Sequence, residues 1–428
     1  MSDFDAIVVG SGCAGSVAAY ELAKANKNVL VIERGNSCGE KNMTGGRLYS
    51  HSLKEVFPDF ASSAPLERRI THERLSFMAP DANFTIDFSS DSMMKTGSDS
   101  YSVLRADFDP WLAAQAEDAG AEYINGIAVE SLLKSGSFVT GVKAGEDEIS
   151  ADVVILCDGV NSLLLESAVD YARPAPSKMA VGIKQVFTLD EKTISDRLLC
   201  SPGEGAAWLF VGDATHSCVG GGFMYTNKES ISLGLVATIS ELTKGKVPIY
   251  QMMEDFKKHS AVAPLISDGK LVEHSGHMVP EGGFDMMPPL YGNGVLIAGE
   301  SAMMCVNLGY MVRGMDYAIA AGMYAGRTAA QALDAGDTSA NELNKYQQAL
   351  EESFVLKDLR QFSRFPHFME SCTRLFDQYP ALIRDIMNAV FVVDGNPVKP
   401  LTKSVMPLVK EVGIMNLLQD VRKGLKAL

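Results

Sequence analysis

Three glycines and one acid near the start of the chain have the types and spacing that bind a dinucleotide. An apolar run ends at Gly10, Gly12 and Gly15, and a second apolar run ends at Glu33. Gly10 permits a tight turn, Gly12 leaves the backbone open to a pyrophosphate, and Gly15 lets a helix pack closely on a strand. Glu33 is placed to accept hydrogen bonds from a ribose. The pattern predicts strand, phosphate loop, helix and strand; the alternative is a glycine-rich turn in an ordinary α/β sheet.

Two later apolar runs end in the same way, one at Asp158 and Gly159 and the other at Gly299 and Glu300. A buried parallel strand delivers such a turn to the carboxyl edge of the sheet, where ligands bind. A nicotinamide cofactor needs one pair of such corners, whereas extended FAD must be held at its adenine, pyrophosphate and ribityl parts. Three corners therefore favour FAD as the resident cofactor. For the second corner, a plain strand-to-helix turn is the alternative.

Two glycine-bearing loops are candidates for covering the cofactor. Residues 35–49 are polar and rich in glycine, and Arg47 offers a fixed positive charge; a surface turn with a solvated arginine is the alternative. Residues 307–316 open an alanine-rich helix that is predicted to run through Ala330. The positive end of its dipole can face an anionic ring, or its small residues can serve only close packing.

The order of elements predicts an α/β protein: a Rossmann-like FAD-binding domain, an inserted antiparallel-sheet domain and a helical C-terminal region. Residues 70–104 alternate like strands, and a helix follows Arg105, with Asp109 as its cap and Pro110 in its first turn. Residues 179–240 read as successive strands. The predicted boundaries are 1–178 and 291–335 for the FAD-binding domain, 179–290 for the inserted substrate or quinone domain, and 336–428 for the helical region.

Composition limits the possible partners and sites. The net charge of -15 argues against a nucleic-acid footprint, which needs a basic face. Asp3 and Asp5 stand where a secretory signal would be basic, so a cytoplasmic location is expected. No run is apolar enough to span a membrane, so membrane contact would be peripheral. The seven cysteines and seven histidines are scattered without metal-ligand spacing, and no metal site is predicted.

The last segment of the chain mixes apolar and basic residues at helical spacing. Val405, Leu408 and Leu418 alternate with Lys403 and Lys410. Such a helix can lie on an anionic membrane surface. Packing of the apolar stripe on the protein's own domain is the alternative.

Three segments of the sequence resemble those of one flavoprotein family. They are 41–49 (Lys-Asn-Met-Thr-Gly-Gly-Arg-Leu-Tyr), 221–226 (Gly-Gly-Phe-Met-Tyr-Thr) and 307–316, with Asn307-Leu308-Gly309 and Arg313-Gly314-Met315-Asp316. They resemble the FixC type of electron-transfer-flavoprotein quinone oxidoreductases, which belong with geranylgeranyl reductases in the glutathione-reductase-type FAD superfamily. The resemblance covers essentially the whole chain.

The resemblance implies roles for individual residues. In the family, the three glycines of the first loop bind the pyrophosphate of FAD and Glu33 binds the ribose. Arg105 contacts the outer phosphate region, and Gly299 with its acidic neighbour binds the ribityl chain. That neighbour is Glu300, where the family usually has aspartate. The candidate cofactor-binding residues are Gly10, Gly12, Ala14, Gly15, Glu33, Arg34, Arg47, Arg105, Val129, Asp158, Gly159, Gly299, Glu300, Leu308 and Gly309.

The resemblance also implies a function. Electrons would pass from an electron-transfer flavoprotein of the FixA and FixB type, through FAD, toward a quinone held near Phe223, Met224 and Tyr225. A separate ferredoxin-like subunit of the FixX type would supply an iron–sulfur cluster, and the inner face of the cell membrane would be the place of contact. No general acid or base is assignable. The alternatives are a polyprenyl reductase, a flavin-dependent monooxygenase and a scaffold with a redox-silent flavin.

Overall fold

The computed structural model describes residues 2–40, 46–95, 99–245 and 247–428, with strands in two large sheets and one small ribbon. The strands are Phe4–Val9 (β1), Val29–Glu33 (β2), Arg47–Tyr49 (β3), Leu66–Ala79 (β4), Ala82–Ser89 (β5), Ser100–Val103 (β6), Glu122–Asn125 (β7), Val129–Ser135 (β8), Phe138–Ala144 (β9), Asp147–Leu156 (β10), Met179–Thr188 (β11), Glu204–Gly212 (β12), Gly220–Thr226 (β13), Ser230–Thr238 (β14), Lys270–Pro280 (β15), Tyr291–Gly292 (β16), Val295–Ile297 (β17), Val306–Asn307 (β18) and Val312–Arg313 (β19). The α-helices are Cys13–Lys24 (α1), His51–Val56 (α2), Arg105–Asp118 (α3), Leu165–Ala168 (α4), Glu191–Leu198 (α5), Ile239–Lys244 (α6), Ile249–Lys258 (α7), Ala263–Ile266 (α8), Met315–Ala335 (α9), Ala340–Glu352 (α10), Phe354–Gln361 (α11), Phe365–Ser371 (α12), Gln378–Phe391 (α13), Leu401–Val412 (α14) and Ile414–Ala427 (α15).

The first sheet carries the nucleotide fold. Strands β17, β10, β1, β2 and β7 run parallel in that order, and β16 and β9 extend the sheet with antiparallel pairs. The central strands are apolar throughout because both faces of a parallel sheet are covered; Val8, Val31 and Ile155 are completely buried. The predicted Rossmann-like α/β class is confirmed.

The second sheet has the order β15, β11, β14, β13, β12, β4, β6 and β3, with β5 paired to β4. Its described pairs are antiparallel except that β12 runs parallel to β4. Trp208 and Phe210 of β12 stack with ring centroids 5.0 Å apart, and Phe256 of α7 meets Phe210 edge-on. These aromatic rings form the centre of a second hydrophobic core.

Strands β3 to β6 belong to this second sheet, although the predicted boundaries place residues 1–178 in the FAD-binding domain. The connection is the long pairing of β4 with β12, in which Arg74 lies opposite Trp208. Pairing between strands so far apart in sequence cannot be predicted from local sequence patterns. The four predicted domain ranges stay a prediction.

Helix α9 packs against α1 at close range. A Cβ at Gly322 would overlap the carbonyl group of Ala14, and one at Gly326 would lie 2.6 Å from the carbonyl oxygen of Ala18. Close packing by small residues, one of the two interpretations offered for this helix, is therefore observed along its middle. Its first turn, at Gly314 and Met315, lines the cavity described below.

Helix α3 begins differently from the prediction. It starts at Arg105, so Asp109 and Pro110 lie inside the helix and Asp109 is not its cap. The Asp109 carboxylate is fully buried and pairs with the Arg105 guanidinium one turn earlier, with Nε–Oδ1 at 2.6 Å. The carboxylate that was predicted to cap the helix instead forms a buried ion pair.

The C-terminal region is helical, from α10 to α15. Within the described ranges, none of the helices combines the length and the apolar character needed to cross a membrane. Many large apolar side chains of α13 to α15 and their connections are exposed. We call this set the C-terminal apolar face: Phe391, Val392, Val393, Val398, Leu401, Met406, Ile414, Met415, Leu418, Val421, Leu425 and Leu428.

Candidate cofactor and substrate site

The three predicted corners lie side by side. Ile155 of β10 is in register with Val8 of β1 on one side and with Leu296 of β17 on the other. Because the three strands are parallel neighbours, the turns that follow them meet at one edge of the sheet. Gly10, Asp158 and Gly299 therefore border the same site.

The first loop is tightly constrained around its glycines. Gly10 has φ +94°, and a Cβ there would overlap the carbonyl oxygen of Cys157. A Cβ at Gly15 would overlap the carbonyl oxygen of Gly10. Gly12 precedes α1 without a side chain to cap it, so the first amides of the helix remain available to an anion. Gly12 and Ala14 line the cavity.

Glu33 holds the loop from the end of β2. Its Oε2 accepts hydrogen bonds from the amide and the hydroxyl of Ser11, both at 2.9 Å, and its Oε1 accepts one from the amide of Gly35 at 2.6 Å. A carboxylate has about four lone-pair positions, so an acceptor position remains for a ribose. Arg34, next in the chain, is exposed, and Val129 begins β8 opposite Ala144.

Asp158 and Ser301 form a polar bridge between two corners. The Ser301 hydroxyl donates to Asp158 Oδ1 at 3.0 Å and accepts from the amide of Gly159 at 2.8 Å. Burial raises the pKa of Asp158 to about 6, against the lowering effect of the hydrogen bond from Ser301. The bridge fixes the turn after β10 against the turn after β17.

Glu300 faces a histidine of the second sheet. His277 of β15 places its Nε2 3.2 Å from Glu300 Oε2. Both side chains line the cavity. The carboxylate is therefore oriented by the neighbouring sheet, and its predicted contact with the ribityl chain stays a prediction.

Arg105 lies deep in the site with a buried partner. Its guanidinium makes two hydrogen bonds to Asp109, and Cys13 lies 3.8 Å from Asp109 Oδ1. Burial alone would lower the pKa of Arg105, but the charge of Asp109 outweighs that effect and raises it. The positive charge thus persists next to the start of α1, at the cavity wall.

Arg47 also lines the cavity, with its charge paired. Its guanidinium forms a fork with the carboxylate of Glu73 and hydrogen bonds to Ser100 Oγ, and its side chain is 12% exposed. The interpretation of a solvated surface arginine is therefore wrong. Residues 41–45 of the predicted covering loop lie outside the described residues, while Gly46 lies against the ring of Tyr225.

One large cavity of about 600 Å³, within the range of small-molecule and cofactor pockets, is lined by eight of the fifteen candidate residues: Gly12, Ala14, Arg47, Arg105, Gly159, Glu300, Leu308 and Gly309. The other seven candidates do not line it: Gly10, Gly15, Glu33, Arg34, Val129, Asp158 and Gly299. The cavity extends from the first loop past the second sheet to the last helix. Its wall is mainly apolar and includes Leu75, Phe77, Leu209, Val236, Val279, Leu308, Phe365, Phe368, Val421, Leu425 and Leu428.

Strand β13 presents alternate residues to this cavity. Phe223 and Tyr225 line it, and their rings lie 5.5 Å apart. Met224 is buried on the other face of the strand, in the second core. The predicted substrate pocket is thus corrected at Met224, because successive side chains of a strand point to opposite faces.

The loop between β18 and β19 forms another wall. Leu308 is buried, and Gly309 has φ +73° and donates its amide to Asn307 Oδ1 at 2.9 Å. The amide nitrogen of Asn307 donates to both carboxylate oxygens of Glu281, at 3.3 and 3.4 Å. The predicted place of this loop beside the isoalloxazine ring is not tested by these contacts.

Sequence reasoning missed four polar residues of the site: Ser11, His277, Glu281 and Ser301. Glu281 had a usable signal, because it follows a predicted extended segment and precedes two glycines. Ser301 follows the third corner directly. His277 and Ser11 gave no signal beyond their type, since their partners come from other parts of the chain.

Models of three families match the chain. Residues 365–428 match the ETF-QO/FixC family C-terminal domain, residues 8–61 the NAD(P)-binding Rossmann-like domain, and residues 43–179 tryptophan halogenase.

Relatives match over the full length. The chain is 50% identical to the probable electron transfer flavoprotein-quinone oxidoreductase YdiS of Escherichia coli K12, covering 100% of both chains. It is 48% identical to Protein FixC of the same strain, covering 99% of each.

Solved structures share the fold. A geranylgeranyl bacteriochlorophyll reductase-like protein from Thermoplasma acidophilum has a TM-score of 0.74 at 18% identity, covering 98% of this chain and 99% of that one. The flavin-dependent brominase Bmp2 has a TM-score of 0.62 at 14% identity, covering 96% and 99%. At these identities the likeness concerns the fold alone.

FAD is the cofactor, and the residues present fit it. The first loop is open at Gly12 and closed at Gly10 and Gly15, as a pyrophosphate requires. The cavity continues from that loop along the three corners. With relatives at 50% and 48% identity over its whole length, the chain belongs to the ETF-QO/FixC family of FAD-dependent oxidoreductases.

Proposed function

We propose that this protein passes electrons from an electron-transfer flavoprotein of the FixA and FixB type to a quinone, working with a separate ferredoxin-like subunit of the FixX type. The similarity to YdiS, a probable electron transfer flavoprotein-quinone oxidoreductase, supports the donor and the acceptor. The scattered cysteines support the placement of an iron–sulfur cluster on another chain.

The observation that carries the proposal is the continuous apolar cavity. One end is the phosphate loop at Gly12 and Ala14, and the other is formed by Val421, Leu425 and Leu428 of the last helix and its end. A lipophilic acceptor can therefore enter beside the C-terminal apolar face and reach the cofactor along mainly apolar walls. A charged or sugar-like acceptor would find few polar partners along these walls.

The chain's own residues divide the work. When bound, FAD supplies a centre that accepts and releases electrons. Gly12 and the first amides of α1 would hold its pyrophosphate, and Arg105 would add positive charge at the outer phosphate region. Glu33 orients the loop through Ser11, and Asp158 ties the second corner to the third through Ser301. Phe223 and Tyr225 would position the quinone and exclude water.

We also propose contact with the inner face of the cell membrane through the C-terminal apolar face. Phe391, Val393 and Val398 are more than two-thirds exposed. Lys399, Lys403 and other basic residues accompany them, as on helices that bind anionic lipid surfaces. The same helices form the mouth of the cavity, so a membrane-dissolved quinone would have a short route inward.

A two-part anaerobic assay tests the function. The FAD-loaded protein is first reduced by its FixA/FixB-type flavoprotein and then mixed with a short-chain quinone analogue, while flavin and quinone absorbance are recorded. We expect reduction by the flavoprotein, fast reoxidation by the quinone, and formation of one quinol per flavin. Rapid flavin reduction by NADPH alone, or hydrogenation of prenyl double bonds without the flavoprotein, would overturn the proposal.

A further inference from the structure

Glu281 is a carboxylate at the cavity wall that the cofactor-binding roles do not use. It follows β15, and its amide donates to the carbonyl oxygen of Lys178 at 2.9 Å, which fixes the backbone. Its carboxylate accepts from the amide nitrogen of Asn307. Since Asn307 Oδ1 is already bound to the amide of Gly309, the orientation of this side-chain amide is determined. The carboxylate therefore has a neutral, fixed partner.

The other acids of the cavity wall are placed differently. Glu300 faces His277 at 3.2 Å. Asp420 is bridged by Arg374, with Nε–Oδ2 at 2.7 Å. Among the residues that the structure describes, no basic side chain forms an ion pair with Glu281. Of the acids at the described part of the cavity wall, Glu281 is thus the one that faces neither a histidine nor an arginine.

The position of Glu281 relative to the second sheet follows from strand register. Pro280 lies opposite Met179, Ala180 lies opposite Thr238, and Ala237 lies opposite Gly220. These pairs align the end of β15, the start of β11, the end of β14 and the start of β13. Glu281, which follows β15, therefore lies at the same end of the strands as the start of β13. Glu281 therefore lines the same cavity as Phe223 and Tyr225 of β13.

Burial sets the protonation of this group. Desolvation raises the pKa of Glu281 to about 7, although the hydrogen bond from Asn307 lowers it in part. Burial raises the pKa of the Cys305 thiol well above its ordinary value, and the charge of Glu281 adds to that rise. The other titratable or charged groups on the surrounding elements are Tyr225, His277, Glu300, Tyr310, Asp316 and the Lys178–Glu370 pair.

We propose that Glu281 is the proton donor to the quinone in this cavity, an inference that rests on the proposed quinone reduction. A quinone needs two electrons and two protons to become a quinol. The reduced flavin supplies the electron pair and one proton. The second proton leaves the Glu281 carboxyl as its O–H bond breaks, and a new O–H bond forms on a quinone oxygen. The carboxylate then regains a proton from solvent through the open cavity.

The experiment compares two acceptors in the full-length, FAD-loaded protein. A short-chain quinone takes electrons and protons, whereas a ferricenium salt takes electrons alone. Stopped-flow reoxidation of the reduced flavin is measured for wild type, E281Q, E281D and the control E370Q. Glu370 is matched in type and lies near Lys178, but outside the cavity.

We expect E281Q to slow reoxidation by the quinone about 100-fold, the order of magnitude for loss of a general acid. Reoxidation by ferricenium should stay within about twofold, because that acceptor takes no proton. E281D should recover part of the quinone rate, and E370Q should match wild type. In wild type the quinone rate should fall as the pH rises through about 7, and E281Q should lack that fall.

Infrared difference spectroscopy gives a readout independent of turnover. The protonated-carboxyl band of wild type should shift in heavy water and be missing in E281Q. The proton-donor role is overturned if E281Q reduces quinone at the wild-type rate, if it loses both acceptors equally, or if the band persists. If wild type itself reduces no quinone, the proposed function fails instead.

Discussion

Replacement of Gly322 by alanine tests whether α9 sets the position of the phosphate loop. The added Cβ would lie 2.9 Å from the carbonyl carbon of Ala14 and closer still to its oxygen, where ordinary contact begins at 3.4 Å. Both neighbours are backbone, so no side chain can move aside. The two helices must separate, and Ala14 lies at the cavity wall.

The expected magnitude combines two opposing effects. Glycine to alanine inside a helix adds about 1 kcal/mol of stability from propensity. Overpacking of a tight interface costs about 1–3 kcal/mol. Because the overlap is with backbone atoms, we take the upper end of that cost and expect a net loss of about 2 kcal/mol, and FAD binding weakened by about 30-fold if the loop absorbs that shift.

Titration of the apoprotein with FAD, followed by flavin fluorescence, measures the affinity. G326A is the informative partner, because its Cβ would press on Ala18, one turn farther from the cavity; it should destabilise the fold with less effect on FAD. G276A is the control, since the nearest atom to its new Cβ is 3.8 Å away. Unchanged or tighter FAD binding in G322A would refute the reasoning.

Three further predictions concern charge and surface. D158N should remove a pH dependence of apoprotein stability. The pKa of Asp158 is about 6 in the folded protein and about 3.9 in the unfolded chain, so this group should raise the free energy of unfolding of wild type by about 1–3 kcal/mol as the pH falls from 7 to 4. An equal change of melting temperature with pH in D158N and wild type would contradict this prediction. R105Q should destabilise the protein by about 3–5 kcal/mol because it removes the guanidinium that pairs with buried Asp109, whereas R173Q, at an exposed pair, should change melting little. M415E combined with L418E should weaken co-sedimentation with anionic lipid vesicles at least tenfold, while L163E, at an exposed site elsewhere, should not; equal binding by both would count against the C-terminal apolar face.

The sequence was sufficient for the parts of the site that are local. Each corner is a short apolar run followed by glycine and an acid, and period and composition are enough to place it. The parallel order of β17, β10 and β1 then brings the three corners together. The strands β11, β12, β13 and β14 within 179–240 were likewise predictable, because turn residues separate the runs there, whereas helix α5 between β11 and β12 was not predicted.

What the sequence did not yield depends on contacts between distant segments. Arg47 was expected to offer a fixed positive charge, but its partner Glu73 was not predicted, because Glu73 reaches it only where β3, β6 and β4 lie side by side. Asp109 is of a residue type that often caps helices and precedes a proline, yet it forms a buried ion pair with Arg105. The Glu281–Asn307 contact joins the end of one sheet to a loop beyond the third corner. Long-range pairing, rather than local preference, decides each of these.

The last helix packs on the protein through a buried polar anchor. Asp420 of α15 is 3% exposed and is held by Arg374 and by the hydroxyl of Tyr379 at 2.6 Å, so this helix is anchored to the start of α13 and to the turn before it. Val421 and Leu425, in the following turn, line the cavity yet remain more than half exposed. A buried polar anchor thus holds an apolar surface at the mouth of the site. Packing on the protein's own domain is therefore observed for this helix, and the same anchoring leaves exposed the apolar surface on which the proposed lipid contact depends.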